Sequence, residues 1–204
     1  MNRSHVELML EGANKILPDE YLPNLDLEEE DWGSAISVGK LLLDIGLELV
    51  KDFESGRVIL SRGQKWLVAL LNEGSLGRRE RVEAGNILAK LGDIRFNKEK
   101  WYLPAEPLFG FVEIPAGPFV MGELEEQHTT SIPTFYMARY PVTVGQFRIF
   151  VEESNFCLEC PESIKGLDNH PLVLVDWNEA LVYANWLGKK LVDISKSKLD
   201  KKKN

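Results

Sequence analysis

The sequence is poor in the residues that most directly announce chemistry. It holds two cysteines and three histidines in 204 residues. Cys157 and Cys160 are too few to staple a chain of this size, which points to a reducing compartment. No stretch approaches the roughly 20 apolar residues that a membrane span needs; Leu41–Val50 is broken by Asp44 and Glu48. The opening Met1-Asn2-Arg3-Ser4-His5 lacks the charged-then-apolar pattern of a signal peptide, so a cytoplasmic chain is expected. No Gly-x-Ser-x-Gly elbow is present, and Gly33-Ser34-Ala35-Ile36-Ser37-Val38-Gly39-Lys40 fails as a phosphate loop. Its glycines stand one residue too far apart, no hydrophobic strand precedes it, and Leu41 follows the lysine where Ser or Thr is needed. Excess positive charge is missing as well. The net charge of −8 argues against a general nucleic-acid binder.

That charge is unevenly spread. Residues 189–204 hold seven lysines against two aspartates, five net positive charges, so residues 1–188 carry thirteen net negative ones. An acidic body with a basic tail prefers protein surfaces to phosphate backbones, and Lys196, Lys198 and Lys201–Lys203, without interleaved aromatics, read as a solvated tail with at most weak nucleic-acid contact.

What is present is an ordinary globular composition, 44% hydrophobic and 27% charged. Residues 1–32 read as an acidic arm with one short helix around Val6–Leu17, broken by Pro18 and Pro23 and closed by Glu28-Glu29-Glu30-Asp31. Residues 33–92 turn helical. Ala35, Ile36, Val38, Leu41, Leu42, Ile45, Leu49 and Val50 recur at three- and four-residue spacing, with Ser34 as cap and Gly56 as stop. A second stretch, Trp66–Leu71, ends at Asn72-Glu73-Gly74. A third, Arg78–Leu91, turns Val82, Ala84, Ile87, Leu88 and Leu91 inward. These predict a helical repeat or small bundle. Residues 93–110 form an aromatic, proline-containing linker that lies against one of its neighbours.

After Phe111 the pattern changes to short strands and turns. Phe111–Ile114 and Phe119–Met121 predict a hairpin around Pro115-Ala116-Gly117-Pro118. Thr134–Tyr140 is β-rich, and Thr143 caps a helix with Val144, Phe147, Phe150 and Val151 inward. A last strand, Leu172–Val175, leads through Asp176 into a helix with Ala180, Leu181, Ala184 and Leu187 inward. The fold class is α+β: a helical region, a mixed domain over 111–190, and a Lys-rich tail over 191–204.

Three ordered blocks carry a resemblance. They are Phe111–Gly122, Pro133–Thr143 with Gln146, Phe147 and Phe150, and His170–Ala180 with Tyr183, Trp186, Leu187 and Gly188. Together they resemble the formylglycine-generating enzyme, or sulfatase-modifying-factor, family over residues 111–190. The resemblance implies a compact C-type-lectin-like domain with little regular structure, here in truncated form. Arg78–Asp93 resembles helices that precede such domains in bacterial multidomain signalling proteins, often beside caspase-like proteases. In the family a long second half supplies the catalytic cysteine pair, the copper chemistry and the calcium sites. Here Gly188 is followed by Lys189-Lys190-Leu191-Val192-Asp193-Ile194, and no residue matches those positions. A Tyr-Cys pair frequent in the third block is Tyr183-Ala184. The resemblance therefore implies no catalytic residue, no cofactor and no metal ligand in this chain.

The other candidates are thin. Cys157-Leu158-Glu159-Cys160 has redox or zinc-knuckle spacing, but no second pair completes a zinc site, and the neighbouring Glu153, Glu159 and Glu162 oppose thiolate formation. A reversible disulfide between the two is the remaining functional reading. His5, His128 and His170 stand in no metal-binding spacing, and Asp168 and Glu126 beside them do not supply one. The expected function is non-catalytic: an adaptor or regulatory subunit in a bacterial signalling or defence assembly, with Trp101, Tyr102, Phe135, Tyr136, Trp177, Tyr183 and Trp186 as partner-binding residues. The alternatives are one half of a split formylglycine-type oxidase completed by a second chain, and a sensor of a small ligand.

Overall fold

A computed structural model of the chain describes residues 2–19, 29–73 and 77–201, with the side chains of 29–31, 73 and 193–201 left aside. The chain divides into two compact units, one of residues 1–95 and 166–170, the other of 96–165 and 171–204.

The first unit is helical: α1 (Arg3–Ile16), α2 (Glu29–Ile45), α3 (Leu47–Lys51), α4 (Glu54–Glu73) and α5 (Arg78–Leu91). Helices α2, α4 and α5 pack on one another, and α1 packs on α2 and α4. Trp66, Leu42, Leu67, Leu70 and Leu88 lie fully buried at the centre, with Trp32 edge-on to Trp66 at 5.8 Å. The expected solvated arm is corrected at its start. Val6, Leu10 and Ala13 of α1, with Leu17 just past its end, form one apolar stripe that is sunk in this same core, because each fully buried Val or Leu is worth about 1.5–3 kcal/mol over exposure. Pro23 and Glu28 lie outside the described residues, as do Gly74, Lys202 and Lys203.

Three helix details also differ from the sequence reading. Ser34 is inside α2, which begins at Glu29, and α2 gives way at Ile45 where Gly56 was expected to stop it. Gly56 instead sits in the first turn of α4, where a Cβ would come within 2.1 Å of the Val50 carbonyl oxygen. Val82 is 63% exposed; Ala84, Ile87, Leu88 and Leu91 alone bury the inner face of α5.

The segment 166–170 is sewn to this unit by polar contacts. Asn169 Nδ2 donates to the Gly85 carbonyl at 3.0 Å and to Asp93 Oδ2 at 2.9 Å. The Asp93 carboxylate, fully buried, also receives Arg95 through Nε at 2.9 Å and Nη2 at 2.6 Å. His170 Nε2 lies 2.7 Å from Asn86 Oδ1.

Among its described residues the second unit holds three two-stranded antiparallel ladders and two α-helices, α6 (Val144–Ser154) and α7 (Trp177–Lys201). Strand β1 (Phe96–Asn97) pairs with β2 (Leu103–Pro104), β3 (Phe111–Ile114) with β6 (Phe135–Ala138), and β4 (Gly117–Met121) with β5 (His128–Ile132). The hairpin expected between Phe111–Ile114 and Phe119–Met121 is therefore not formed. A tight hairpin turn needs a residue at positive φ, and Gly117 does not supply one; Gly122, at φ +88°, does, and the chain reverses there instead. The expected strand Leu172–Val175 is also absent. Only Pro171 bridges Thr143 and Leu172 N–H donates to the Val142 carbonyl at 2.8 Å, before Leu174 takes the left-handed conformation at φ +60°.

The residues read as a linker open this unit. Leu103 is buried with Phe147, Phe150, Tyr183 and Leu187. Tyr102 is buried with its ring stacked on Phe96 at 4.9 Å. Thr143 caps α6, as the sequence suggested, and the structure adds Gln146 to make a full capping box; Gln146 Nε2 also donates to the Tyr102 carbonyl at 3.3 Å. The chain is α+β, with helices first and small antiparallel ladders after them.

Candidate interaction surface

Helix α7 decides which side chains face outward. Its start is capped reciprocally: Glu179 N–H donates to Asp176 Oδ1 at 2.7 Å, and Asp176 N–H to Glu179 Oε2 at 3.1 Å. The buried Glu179 carboxylate accepts a second bond, from Glu159 N–H to Oε1 at 3.1 Å, which ties the Cys157–Cys160 loop to the helix start. Tyr183 and Leu187 turn inward beside Phe147 and Phe150. This corrects the expected inner face, since Ala180, Leu181 and Ala184 are exposed. Aromatic area won the contest: Tyr183 meets both phenylalanines, at 5.5 and 5.7 Å, and no alanine can replace contacts of that size.

The displaced small residues border a cleft. It has a volume of about 490 Å³ and mostly apolar walls: Ala180, Ala184 and Gly188 of α7 line it together with Phe111, Val142, Leu172 and Tyr183. Its lining was not legible as a site, although Ala180, Ala184 and Gly188 recur every four residues and could have signalled a smooth helix face. The hydroxyl of Tyr183 hydrogen-bonds to no described residue, and burial alone pushes its pKa well above the ordinary tyrosine value.

A second exposed apolar region is the β3–β6 ladder. All four residues of β6 are exposed, among them Phe135 (37%), Tyr136 (54%) and Met137 (56%). Alternate residues of a strand point to opposite faces, so both faces of β6 are open. Tyr136 donates its hydroxyl to Glu113 Oε2 across the ladder at 2.9 Å, and that bond and charge raise its pKa.

The seven residues expected to bind a partner separate into three groups. Tyr102 and Tyr183 are core residues, 2% and 5% exposed, and the reading of them as surface anchors is corrected. Trp101 and Trp186 are half-buried, edge to face at 6.2 Å, with Lys190 Nζ 5.7 and 5.4 Å from their rings and 2.6 Å from Glu153 Oε2. Phe135, Tyr136 and Trp177 are open, Trp177 at 74%.

The polar candidates have local roles. His128 Nδ1 lies 2.9 Å from the Glu126 carbonyl. Cys157 is exposed, Cys160 half-buried, and both are free thiols. Among the described residues no three His, Cys, Asp or Glu side chains are grouped to hold a metal ion, and no helix is long and apolar enough to cross a membrane.

Comparison with known proteins gives one assignment. Residues 102–196 match the sulfatase-modifying factor enzyme 1-like domain. The match begins nine residues before the resemblance read from the sequence, at Tyr102, where the core of the second unit begins. No curated protein matches the chain.

Proposed function

We propose that the sulfatase-modifying factor enzyme 1-like domain of this chain is a non-catalytic protein-binding module, an adaptor or regulatory subunit acting in the cytoplasm. The observation that carries this reading is β6, a strand open on both faces with Phe135, Tyr136 and Met137 exposed. A two-stranded ladder is marginal by itself in water, and contiguous exposed apolar surface marks an interface. A partner polypeptide that covers β6 would gain both the apolar area and a free strand edge. The resemblance of Arg78–Asp93 to helices of bacterial signalling proteins supports a signalling or defence assembly as the setting.

The test is quantitative affinity purification of the tagged chain from its own cells, beside Tyr136→Asp. The expected result is a stoichiometric partner whose recovery falls about tenfold in the variant, as loss of a central interface aromatic requires, with the melting temperature unchanged. Equal recovery by both chains overturns the reading. The split-enzyme alternative is decided on the same material: oxidation of a cysteine peptide to an aldehyde by the purified complex would replace the adaptor role with a catalytic one.

A further inference from the structure

The pairing of β6 with β3 decides which of its backbone groups face outward. Ala138 stands opposite Phe111, and beyond them Arg139 N–H donates to the Gly110 carbonyl at 2.9 Å. The backbone groups of an antiparallel strand turn alternately to its two edges. Phe135, Met137 and Arg139 therefore direct theirs to β3, and the N–H and C=O of Tyr136 and Ala138 point away from it. Among the described residues no strand and no other backbone group takes them up.

An edge of this kind is ordinarily guarded by a charge, a proline or a bulge. Strand β3 carries Glu113 and β4 carries Pro118, whereas Phe135-Tyr136-Met137-Ala138 has no charge, no proline and no break in its register. The strand is also complementary to itself. Turned about a two-fold axis through Met137, β6 lies antiparallel on its own copy, with Tyr136 against Ala138 and Met137 against Met137. An axis through Tyr136 would set Ala138 against Thr134, and one through Ala138 would set Tyr136 against Tyr140, both outside the strand. Only the Met137 axis lets the outward groups of Tyr136 and Ala138 satisfy each other. It also sets a large side chain beside a small one. The first charge past the strand, Arg139, bonded to Glu106 at 3.1 Å, falls opposite the half-exposed ring of Phe135 and faces no second cation.

We propose that β6 pairs antiparallel with β6 of a second copy of this chain about a two-fold axis at Met137, joining the two ladders into one β3–β6–β6–β3 sheet. The same patch serves both copies, as a two-fold interface requires. This rests on the reading of β6 as a protein-binding strand and names a second copy as the polypeptide that covers it.

The experiment is sedimentation equilibrium of the full chain at about 150 mM salt, where exposed charges are screened beyond about 8 Å. The chain sediments as a dimer in the micromolar range. Met137→Lys and Met137→Glu each raise the dissociation constant about tenfold, since like charges then meet on the axis, and an equal mixture of the two restores association. Met137 is 56% exposed, so both variants keep the circular dichroism of the parent. A cross-link reads the register. With Cys157 and Cys160 changed to serine, Met137→Cys joins its own copy through a disulfide while oxidised glutathione is reduced, because the facing Cα atoms stand about 4.5 Å apart. Phe135→Cys, about 14 Å from its copy, does not. A chain that stays monomeric, a dimer indifferent to both charges at Met137, or cross-linking through Phe135→Cys in place of Met137→Cys overturns the inference. A monomer that still captures a different stoichiometric protein from cells, and loses it with Tyr136→Asp, would sink the self-pairing and leave the adaptor reading standing.

Discussion

Single residues show how burial assigns roles that composition cannot. Tyr183 and Tyr136 look alike in sequence, yet one is sunk among Phe147, Phe150 and Trp186 and the other lies open on β6. Burial keeps the Tyr183 hydroxyl protonated beyond its ordinary value of 10.0. Below pH 10.0 the folded and unfolded chains bind this proton equally, and its contribution to stability is whole. Above it the unfolded chain releases a proton that the folded chain retains, so stability falls as pH rises. Tyr183→Phe removes this contribution. Urea unfolding of variant and parent should run in parallel below pH 10.0 and diverge above it, the variant gaining at most about 1.4 kcal/mol per pH unit. Parallel behaviour throughout would show that the hydroxyl is solvated.

At the level of elements, what was legible in the sequence is what local chemistry decides. The Thr143 cap, the Asp176 cap and the inner face of α6 depend on neighbours three or four residues away, and each is found where the pattern put it. The failures depend on distant partners. Strand β3 pairs across twenty residues with β6, which no turn signal near Pro115 announces. On α7 Leu187 is inward as expected but Ala180, Leu181 and Ala184 are not, because its alanines and its aromatics form competing stripes, and the aromatic cluster that chooses between them is assembled from α6 and from Phe156 beyond it. The family resemblance was legible, but a cleft built of small residues was not, since Ala and Gly carry no chemistry of their own. Gly56 is a further case. A glycine in a helix normally gains from replacement by alanine, by about 0.8–1 kcal/mol. Here the added Cβ would press on the Val50 carbonyl at 2.1 Å. Gly56→Ala should therefore destabilise the chain by about 1–3 kcal/mol, measured by thermal or denaturant unfolding; a gain in stability would show that α3 and α4 can part to admit the methyl group.

For the molecule as a whole, the segment 166–170 carries unusual weight for five residues. Asn169 supplies both hydrogens of its amide to the first unit, one to a backbone carbonyl and one to a carboxylate with no exposed surface. Asn169→Ala should strip the Gly85 carbonyl of its second donor, beyond the bond it accepts within α5, and leave the Asp93 carboxylate with Arg95 alone, at a cost of about 1–3 kcal/mol. Hydrogen exchange in α5 reads this directly, since the loss should speed exchange there; unchanged protection of α5 would show that Arg95 suffices.

Because the chain leaves the helical unit at Arg95 and re-enters it from Gly166 to His170, neither unit is a contiguous stretch of gene. A recombination or truncation at the helix–ladder junction, the point where a sequence-based boundary falls, would separate the helices from the five residues that complete them. Swapping residues 96–204 between chains would therefore carry Asn169 and His170 along with them, and would succeed only where the recipient helices can accept that asparagine and histidine at Gly85, Asn86 and Asp93.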